Sequence, residues 1–202
     1  MMGELDEAKR GLRRQMKALR DGLGAEERER VDGAICANLL SLAAYQRADV
    51  VLPYLSFGSE VDTRRLIGHA LDAGKIVALP RVVEGERAMR WYRVFGLDGL
   101  ERSALGVEEP PVDPVREVDP LASSRALAIV PALTFDAQGY RLGYGGGFYD
   151  AFLAVFPGVS AGLCRDVQFV DDLHGLGVVE AHDLSVDVVV TEQCLVKTSW
   201  HH

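Results

Sequence analysis

Hydrophobic positions along this chain recur with two different periods, and the switches between them mark an alternation of helices and strands. Leu5, Ala8, Leu12, Met16 and Leu19 follow helical spacing. That predicts an amphipathic helix over 4–20, with Lys9, Arg10, Arg13, Arg14, Lys17 and Arg20 on its other face. A second helix is expected from about Ala25 to Ala44, opened by Glu26-Glu27 at the positive end of its dipole. "ADVVLPYLSF" reads as a buried strand, and "DTRRLIGHALDAG" as a helix with Asp62 or Thr63 as N-cap and Gly74 just past its end. "KIVALPR" is the next strand, and this strand–helix–strand order is the mark of a parallel α/β sheet.

Further along, "AMRWYRVF" alternates like a partly exposed edge strand or hairpin arm. "GVEEPPVDPVREVDP" carries too much proline and acid for helix and is expected to be extended loop. "ALAIVPAL" returns to buried strand, "FYDAFLAVF" to helix stopped by Pro157-Gly158, and "VSAGLC" and "VDVVVTE" supply later strands. No internal repeat or compositional break divides the 202 residues, so one domain is expected.

Composition narrows the class. With 22 Lys and Arg against 30 Asp and Glu, the net charge is −8, which argues against a general nucleic-acid binder, since phosphate-tracking surfaces are basic. Cys36, Cys164 and Cys194 are odd in number and far apart. They suggest reduced thiols rather than a disulfide framework or a structural zinc site. No apolar run reaches signal-peptide or membrane-spanning length, so a cytoplasmic protein with no membrane partner is expected.

The chemistry concentrates in 139–150, "GYRLGYGGGFYD", directly after a predicted buried strand and running into a predicted helix. Ligands of open α/β sheets gather at the carboxyl ends of the strands. There, glycines let backbone N–H groups converge on an anion without obstruction by Cβ atoms. The stretch matches neither the P-loop pattern nor the dinucleotide fingerprint, so by itself it indicates an anion cradle. Arg141 can fork onto phosphate oxygens, and Asp150 would compete with bound phosphate unless a divalent cation bridged the two. The plainer reading is a tight turn with Asp150 steadying a helix N-terminus; five glycines within 139–147 exceed what a turn requires.

"VPALTFDAQGYRLGYGGGFYDAFL" resembles the signature of the 5-formyltetrahydrofolate cyclo-ligases, also called 5,10-methenyltetrahydrofolate synthetases. The resemblance extends through "KRGLR", "LSFGSEVDT", "GKIVALPR", "MRWYRV", "LGVEEP" and "VVEAHDLSVDVVVTE" in order. It implies a three-layer α/β/α fold with a mostly parallel central sheet, similar to the NagB/RpiA/CoA-transferase-like fold. One cyclo-ligase domain would occupy 1–198, with 199–202 read as an expression remnant. The implied activity is the ATP- and Mg²⁺-dependent closure of 5-formyltetrahydrofolate to 5,10-methenyltetrahydrofolate, releasing ADP and phosphate, by a monomer. Two other readings stand beside it: a non-catalytic nucleotide- or folate-binding homologue, and a small-molecule phosphotransferase using the same cradle.

Residue by residue, the resemblance implies that Lys9, Arg10, Gly11, Leu12 and Arg13 contact ATP. The loop Arg141, Leu142, Gly143, Tyr144, Gly145, Gly146, Gly147, Phe148 and Tyr149 would line its phosphates. Arg141 and Tyr149 take catalytic roles; Leu55, Glu60 and the run Tyr144–Phe148 contact the folate. Asp150 and Asp187 are the implied Mg²⁺ ligands. Two departures from the family pattern are visible: Phe148-Tyr149 where relatives often pair two tyrosines, and no proline ahead of "EAHD". His182, beside Glu180 and Asp183, is read as a structural histidine.

Overall fold

The computed structural model describes residues 2–103 and 106–198. The tail assigned as a remnant lies outside the described residues. Five helices span α1 (Met2–Gly22), α2 (Ala25–Ser41), α3 (Ala43–Arg47), α4 (Arg64–Asp72) and α5 (Phe148–Leu153). The strands are β1 (Val50–Leu52), β2 (Ile76–Val82), β3 (Met89–Val94), β4 (Glu101–Arg102), β5 (Glu108–Glu109), β6 (Glu117–Val118) and β7 (Ala126–Val130). They continue with β8 (Thr134–Asp136), β9 (Arg141–Leu142), β10 (Val159–Leu163), β11 (Phe169–Val170), β12 (Val188–Val190) and β13 (Leu195–Lys197).

Eight strands form the main sheet in the order β13-β12-β10-β7-β1-β2-β3-β6. The inner strands β12, β10, β7, β1 and β2 run parallel, whereas β13, β3 and β6 add antiparallel edges. Parallel strands need apolar cover on both faces, and the alternation of side chains supplies it. Val51, Val77, Leu79, Leu127, Ile129, Val188 and Val190 pack with α2, α3 and α4 on one face. Leu52, Ala78, Trp91, Ala126 and Ala128 pack on Phe152 and Phe156 on the other. That second layer is completed by a small sheet, β11-β8-β9, whose Phe135 is fully buried against Val130 and Val189. The expected mostly parallel, layered α/β architecture is what the chain forms.

Local differences have physical causes. "ADVVLPYLSF" contributes only Val50–Leu52 as strand. Beyond it Tyr54 and Thr63 tie the chain into a loop, the Thr63 hydroxyl donating to Tyr54 O at 2.8 Å and the Tyr54 hydroxyl to Val61 O at 2.9 Å. Thr63 is therefore the N-cap residue of α4 by position only, and Asp62 does the capping, its carboxylate accepting from Arg64 N at 3.0 Å. The acid- and proline-rich loop is irregular apart from the two-residue strands β5 and β6.

The largest departure is in α1. Its inward face mixes the two sets: Lys9, Met16 and Arg20 are buried and Leu5, Leu12 and Arg13 half-buried, while Ala8 and Leu19 of the stripe and Arg10, Arg14 and Lys17 of the cationic side are exposed. The helix does not lie on the apolar core. It crosses the loops at the carboxyl ends of the parallel strands, bonding Ser59 after β1 and Gly143 after β9, and packing on 166–168 after β10. Those loops offer carbonyls, hydroxyls and carboxylates, so the cationic side is the one that finds partners.

Candidate active site

The glycine-rich segment leaves β9 and wraps under α1. Gly145 lies at φ +97, and a Cβ there would come within 3.2 Å of the Arg13 guanidinium. Gly147 at φ +71 is the residue preceding α5. Both positions therefore require glycine, one for close approach and one for backbone conformation. Arg13 holds the loop from above, its Nε donating to Gly143 O at 2.9 Å.

Beside the loop the charges are already paired. Arg141, its side chain 5% exposed, donates to Asp150 Oδ1 at 2.7 Å and to Leu184 O at 2.6 Å. Burial pulls the Arg141 guanidinium below its usual range, while Asp150 and Asp183 oppose that shift. Lys9 sits 2.5 Å from Glu180 and 3.6 Å from Asp183, and its proximity holds the Glu180 carboxyl below the ordinary range. Asp183 is fixed in turn by Glu180 N at 2.8 Å. Lys9, Arg13, Arg141, Asp150 and Asp183 thus form one charged patch drawn from α1, the glycine-rich segment and the 180–184 loop.

Asp187 does not join them. It precedes β12, and its Oδ2 accepts from the Ser160 amide at 2.7 Å and hydroxyl at 2.8 Å, at the start of β10. That is the amino-terminal edge of the parallel strands. Asp183 lies near enough to Arg141 to favour its charge, so the structure brings Asp150 and Asp183 to one region and leaves Asp187, expected from the sequence beside Asp150, at Ser160. The hint was present in "EAHD", where the histidine drew attention away from the aspartate; His182 is itself exposed, 3.8 Å from Asp183.

The oxygen donors fit a hard divalent cation. Asp150 and Asp183 are carboxylates at the rim, 28% and 18% exposed, and Mg²⁺ takes one or two carboxylates together with phosphate oxygens. Glu180, His182 and Asp183 also bring ligand atoms within 4.8 Å of one another. The Lys9 ammonium already supplies the positive charge to that group.

A second region differs in character. Glu60 is half-buried, its carboxylate accepting from Phe57 N at 3.2 Å, and desolvation raises its carboxyl above the ordinary range against the opposing pull of Arg20 and Tyr144. The Tyr149 ring is partly accessible, but its hydroxyl is enclosed and has no hydrogen-bond partner among the described residues. Burial first, then the charge of Glu60, drives that hydroxyl well above its usual range, with Arg141 opposing. Arg20 is buried, donating to Ser59 Oγ at 2.9 Å and to the Tyr144 hydroxyl at 2.7 Å. Arg20 Nη1 and Trp91 Nε1 are likewise enclosed without partners. A cleft of about 610 Å³ adjoins Glu60, lined mostly by charged side chains, among them Arg28, Asp32, Arg64, Arg102 and Arg165, with Ser56 and Phe57. Tyr144, 52% exposed, is not part of that lining but has its ring 6.3 Å from Phe57, which is.

The remaining expected residues are distributed around these two regions. Arg10 is exposed, Gly11 and Leu12 are half-buried, and Leu142 is buried beneath the loop. Gly146 faces the Phe148 ring, which a Cβ would approach to 2.7 Å. Leu55 is buried in the helix-covered core rather than at the surface of the cleft. Arg20 and Asp183 are the residues that sequence reasoning did not assign. Arg20 was hidden because it reads as one more cation on a solvated helix face.

Relatives share this whole chain. Residues 5–192 match the model of the 5-formyltetrahydrofolate cyclo-ligase family. The 5-formyltetrahydrofolate cyclo-ligase of Mus musculus is 29% identical over 93% of this chain and 95% of its own length. That of Escherichia coli (strain K12) is 32% identical over 85% of this chain and 93% of its own. The solution structure of Aquifex aeolicus 5,10-methenyltetrahydrofolate synthetase superposes with a TM-score of 0.79 at 31% identity, covering 96% of each chain. With a family match across nearly the full length, and a fold shared with a structure of that function, the chain belongs to the 5-formyltetrahydrofolate cyclo-ligase family.

Proposed function

We propose that this protein closes 5-formyltetrahydrofolate to 5,10-methenyltetrahydrofolate, consuming ATP in the presence of Mg²⁺. The formyl oxygen attacks the γ-phosphorus and the bond to the β,γ-bridging oxygen breaks, so that ADP leaves. N10 then attacks the activated carbon, loses its proton, and phosphate departs with the former formyl oxygen. Such phosphoryl transfer needs placement and charge neutralisation more than a protein nucleophile.

The single observation that carries this reading is the Tyr149 hydroxyl, enclosed and unpartnered between Glu60 on one side and Arg141 on the other. It stays protonated, and is placed to donate to a ligand oxygen where the folate and phosphate regions meet. On the phosphate side, Lys9, Arg10, Gly11, Leu12 and Arg13 from α1 and the 141–149 loop hold the nucleotide. Arg141 positions Asp150 and faces the transferring group. On the folate side, Glu60 and residues 144–148 meet the ligand while Leu55 stays in the helix-covered core, and the Glu60 carboxylate accepts from the pterin amino group and ring N–H. Asp150 and Asp183 are the residues that would hold Mg²⁺, which when bound neutralises the phosphate oxygens. On this reading nucleotide binding would exchange the ion pairs, Lys9 leaving Glu180 and Arg141 leaving Asp150 for phosphate oxygens.

Mixing protein, ATP, Mg²⁺ and 5-formyltetrahydrofolate tests the proposal. Growth of the methenyl chromophore in step with ADP supports it. Binding of both ligands without turnover would replace it with a silent homologue, and ADP with an accumulating phosphorylated product with a phosphotransferase.

A further inference from the structure

Arg20 is an unusual arginine for a helix flank. Long cations on helices normally keep their heads in water, but this one is 4% exposed. No carboxylate lies within ion-pairing distance of it among the described residues. Of its donors, Nε goes to Ser59 Oγ and Nη2 to the Tyr144 hydroxyl, both neutral groups, while Nη1 is enclosed and makes no bond. Ser59 Oγ is itself drawn to Asp21, so the guanidinium is oriented by a chain of contacts. The Tyr144 hydroxyl lies between Arg20 and the Glu60 carboxylate, close enough to influence the latter's protonation. A buried donor without a partner costs stability, and a held orientation with one nitrogen left over points to a ligand oxygen.

The pair Glu60 and Arg20 offers an acceptor and a donor side by side. A 2-amino-4-oxo pyrimidine ring presents the complement along one edge: the 2-amino group and N3–H donate, and the 4-oxo oxygen accepts. We infer that Arg20 is a specificity-determining residue whose Nη1 donates to the 4-oxo oxygen of the substrate's pterin while Glu60 receives the two donors. This rests on the proposed folate reading of the site. It adds a second residue to the discrimination between a 4-oxo and a 4-amino ring: a 4-amino ring lacks the N3–H that Glu60 accepts and also sets a donor against Arg20, and sites built around a hydrogen bond reject such analogues strongly.

The experiment compares binding of 5-formyltetrahydrofolate and of its 4-amino-4-deoxy counterpart to the full-length protein, in the wild type, Arg20→Met and Arg20→Lys. The wild type is expected to prefer the 4-oxo ligand by at least about 10-fold. Arg20→Met is expected to reduce that preference by at least about 3-fold, Glu60 keeping the remainder, and to raise KM for 5-formyltetrahydrofolate more than it lowers kcat, and Arg20→Lys to restore part of it. A role confined to holding Tyr144 and Ser59 would weaken both ligands by the same factor and leave the ratio intact, which overturns the inference. Equal affinity of the wild type for the two ligands overturns it as well, without needing any variant to fold. The underlying reading is tested separately by turnover: a wild type that binds with the expected preference but forms no methenyl product would defeat the proposed reaction and leave the role of Arg20 standing.

Discussion

The two ends of the proposed site, one read as the phosphate end and one as the folate end, are prepared in opposite ways. At the phosphate end nearly every charge is compensated: Lys9 by Glu180, Arg141 by Asp150, with Asp183 near both cations. At the folate end polar atoms are enclosed with nothing to bond, namely Arg20 Nη1 and Tyr149 Oη. Cations held in ion pairs can be exchanged onto a polyanion. A neutral donor such as the Tyr149 hydroxyl costs only about 1–3 kcal/mol when unsatisfied, and the Arg20 guanidinium is held by the hydroxyls of Ser59 and Tyr144 instead of by a carboxylate. The contrast teaches that stability and function should trade differently at each end, and mutations can show whether they do.

The largest effects should come from the phosphate end. Asp150→Asn keeps the shape and an acceptor for Arg141 and Leu184 but removes the charge. We expect kcat to fall by about 10²–10³-fold, in the range seen for single groups stabilising transition-state charge. Asp183→Asn should fall in the same range, and in both variants more Mg²⁺ should be needed for half-maximal rate. Titrating Mg²⁺ in a steady-state assay checks this; a variant of either kind with wild-type rate and wild-type Mg²⁺ dependence would remove that residue from the cation site.

Tyr149→Phe comes next and separates the two ends most sharply. Deleting a hydroxyl that has no partner removes a desolvation penalty, so the apo protein should gain about 1 kcal/mol, a rise in Tm of about 2–4 °C. Turnover should nevertheless drop by about 10-fold or more, since a donor to the reacting oxygen is lost. Thermal melts alongside kinetics give the answer. A loss of stability together with activity would mean that the hydroxyl serves the fold.

How far these features were legible in the sequence follows the same division. The sheet was readable because buried parallel strands such as Ala126–Val130 are continuous apolar runs that little else can be. The glycine-rich loop was readable because a left-handed backbone at Gly145 and Gly147 leaves a compositional trace. Arg20 and Asp183 were not, because their roles depend on which face of α1 turns inward and which carboxylate of "EAHDLSVD" meets Arg141. Helical periodicity predicted the apolar stripe inward; the polar loops at the strand ends also drew in Lys9 and Arg20 and left Ala8 and Leu19 outside. Asp187 and Asp183 differ in sequence by one turn of phrase in an acidic stretch, and only the β10–β12 register, pairing Ala161 with Val188, sends Asp187 to Ser160.

Glu60 gives a smaller, pH-dependent effect at the folate end. Its carboxyl is raised by desolvation, so the native protein takes up a proton more readily than the unfolded chain. The associated stability is present at low pH and lost as pH rises through the raised value. Ligand binding runs the other way: the carboxylate form accepts the pterin donors, so affinity for 5-formyltetrahydrofolate should weaken as pH falls through that value. Glu60→Gln should bind about 10-fold more weakly near neutrality and lose this acid limb. Calorimetric titration across acidic to neutral pH checks it, and an acid limb that survives in Glu60→Gln would assign the titration to another group.

Asp187→Asn should have the smallest effect on catalysis, and it decides between the two candidate carboxylate pairs. The side chain accepts from both the amide and the hydroxyl of Ser160, joining β10 to β12 at the sheet's amino-terminal edge. Asparagine can still accept there, but without charge, so the loss should be about 1–2 kcal/mol, seen as a Tm lower by several degrees. Because that edge is opposite the loop bearing Glu60 and the helix α1 that bears Arg20, kcat and the Mg²⁺ requirement should stay within about 2-fold of wild type. The reverse pattern, an unchanged Tm with turnover as low as in Asp150→Asn, would return Asp187 to the cation site and remove Asp183. A cation held by Asp150 and Asp183 would lie between Arg141, which pairs with Asp150, and Lys9, which lies near Asp183; a cation shared with Asp187 would require the start of β12 to release Ser160, and the melt would register that release.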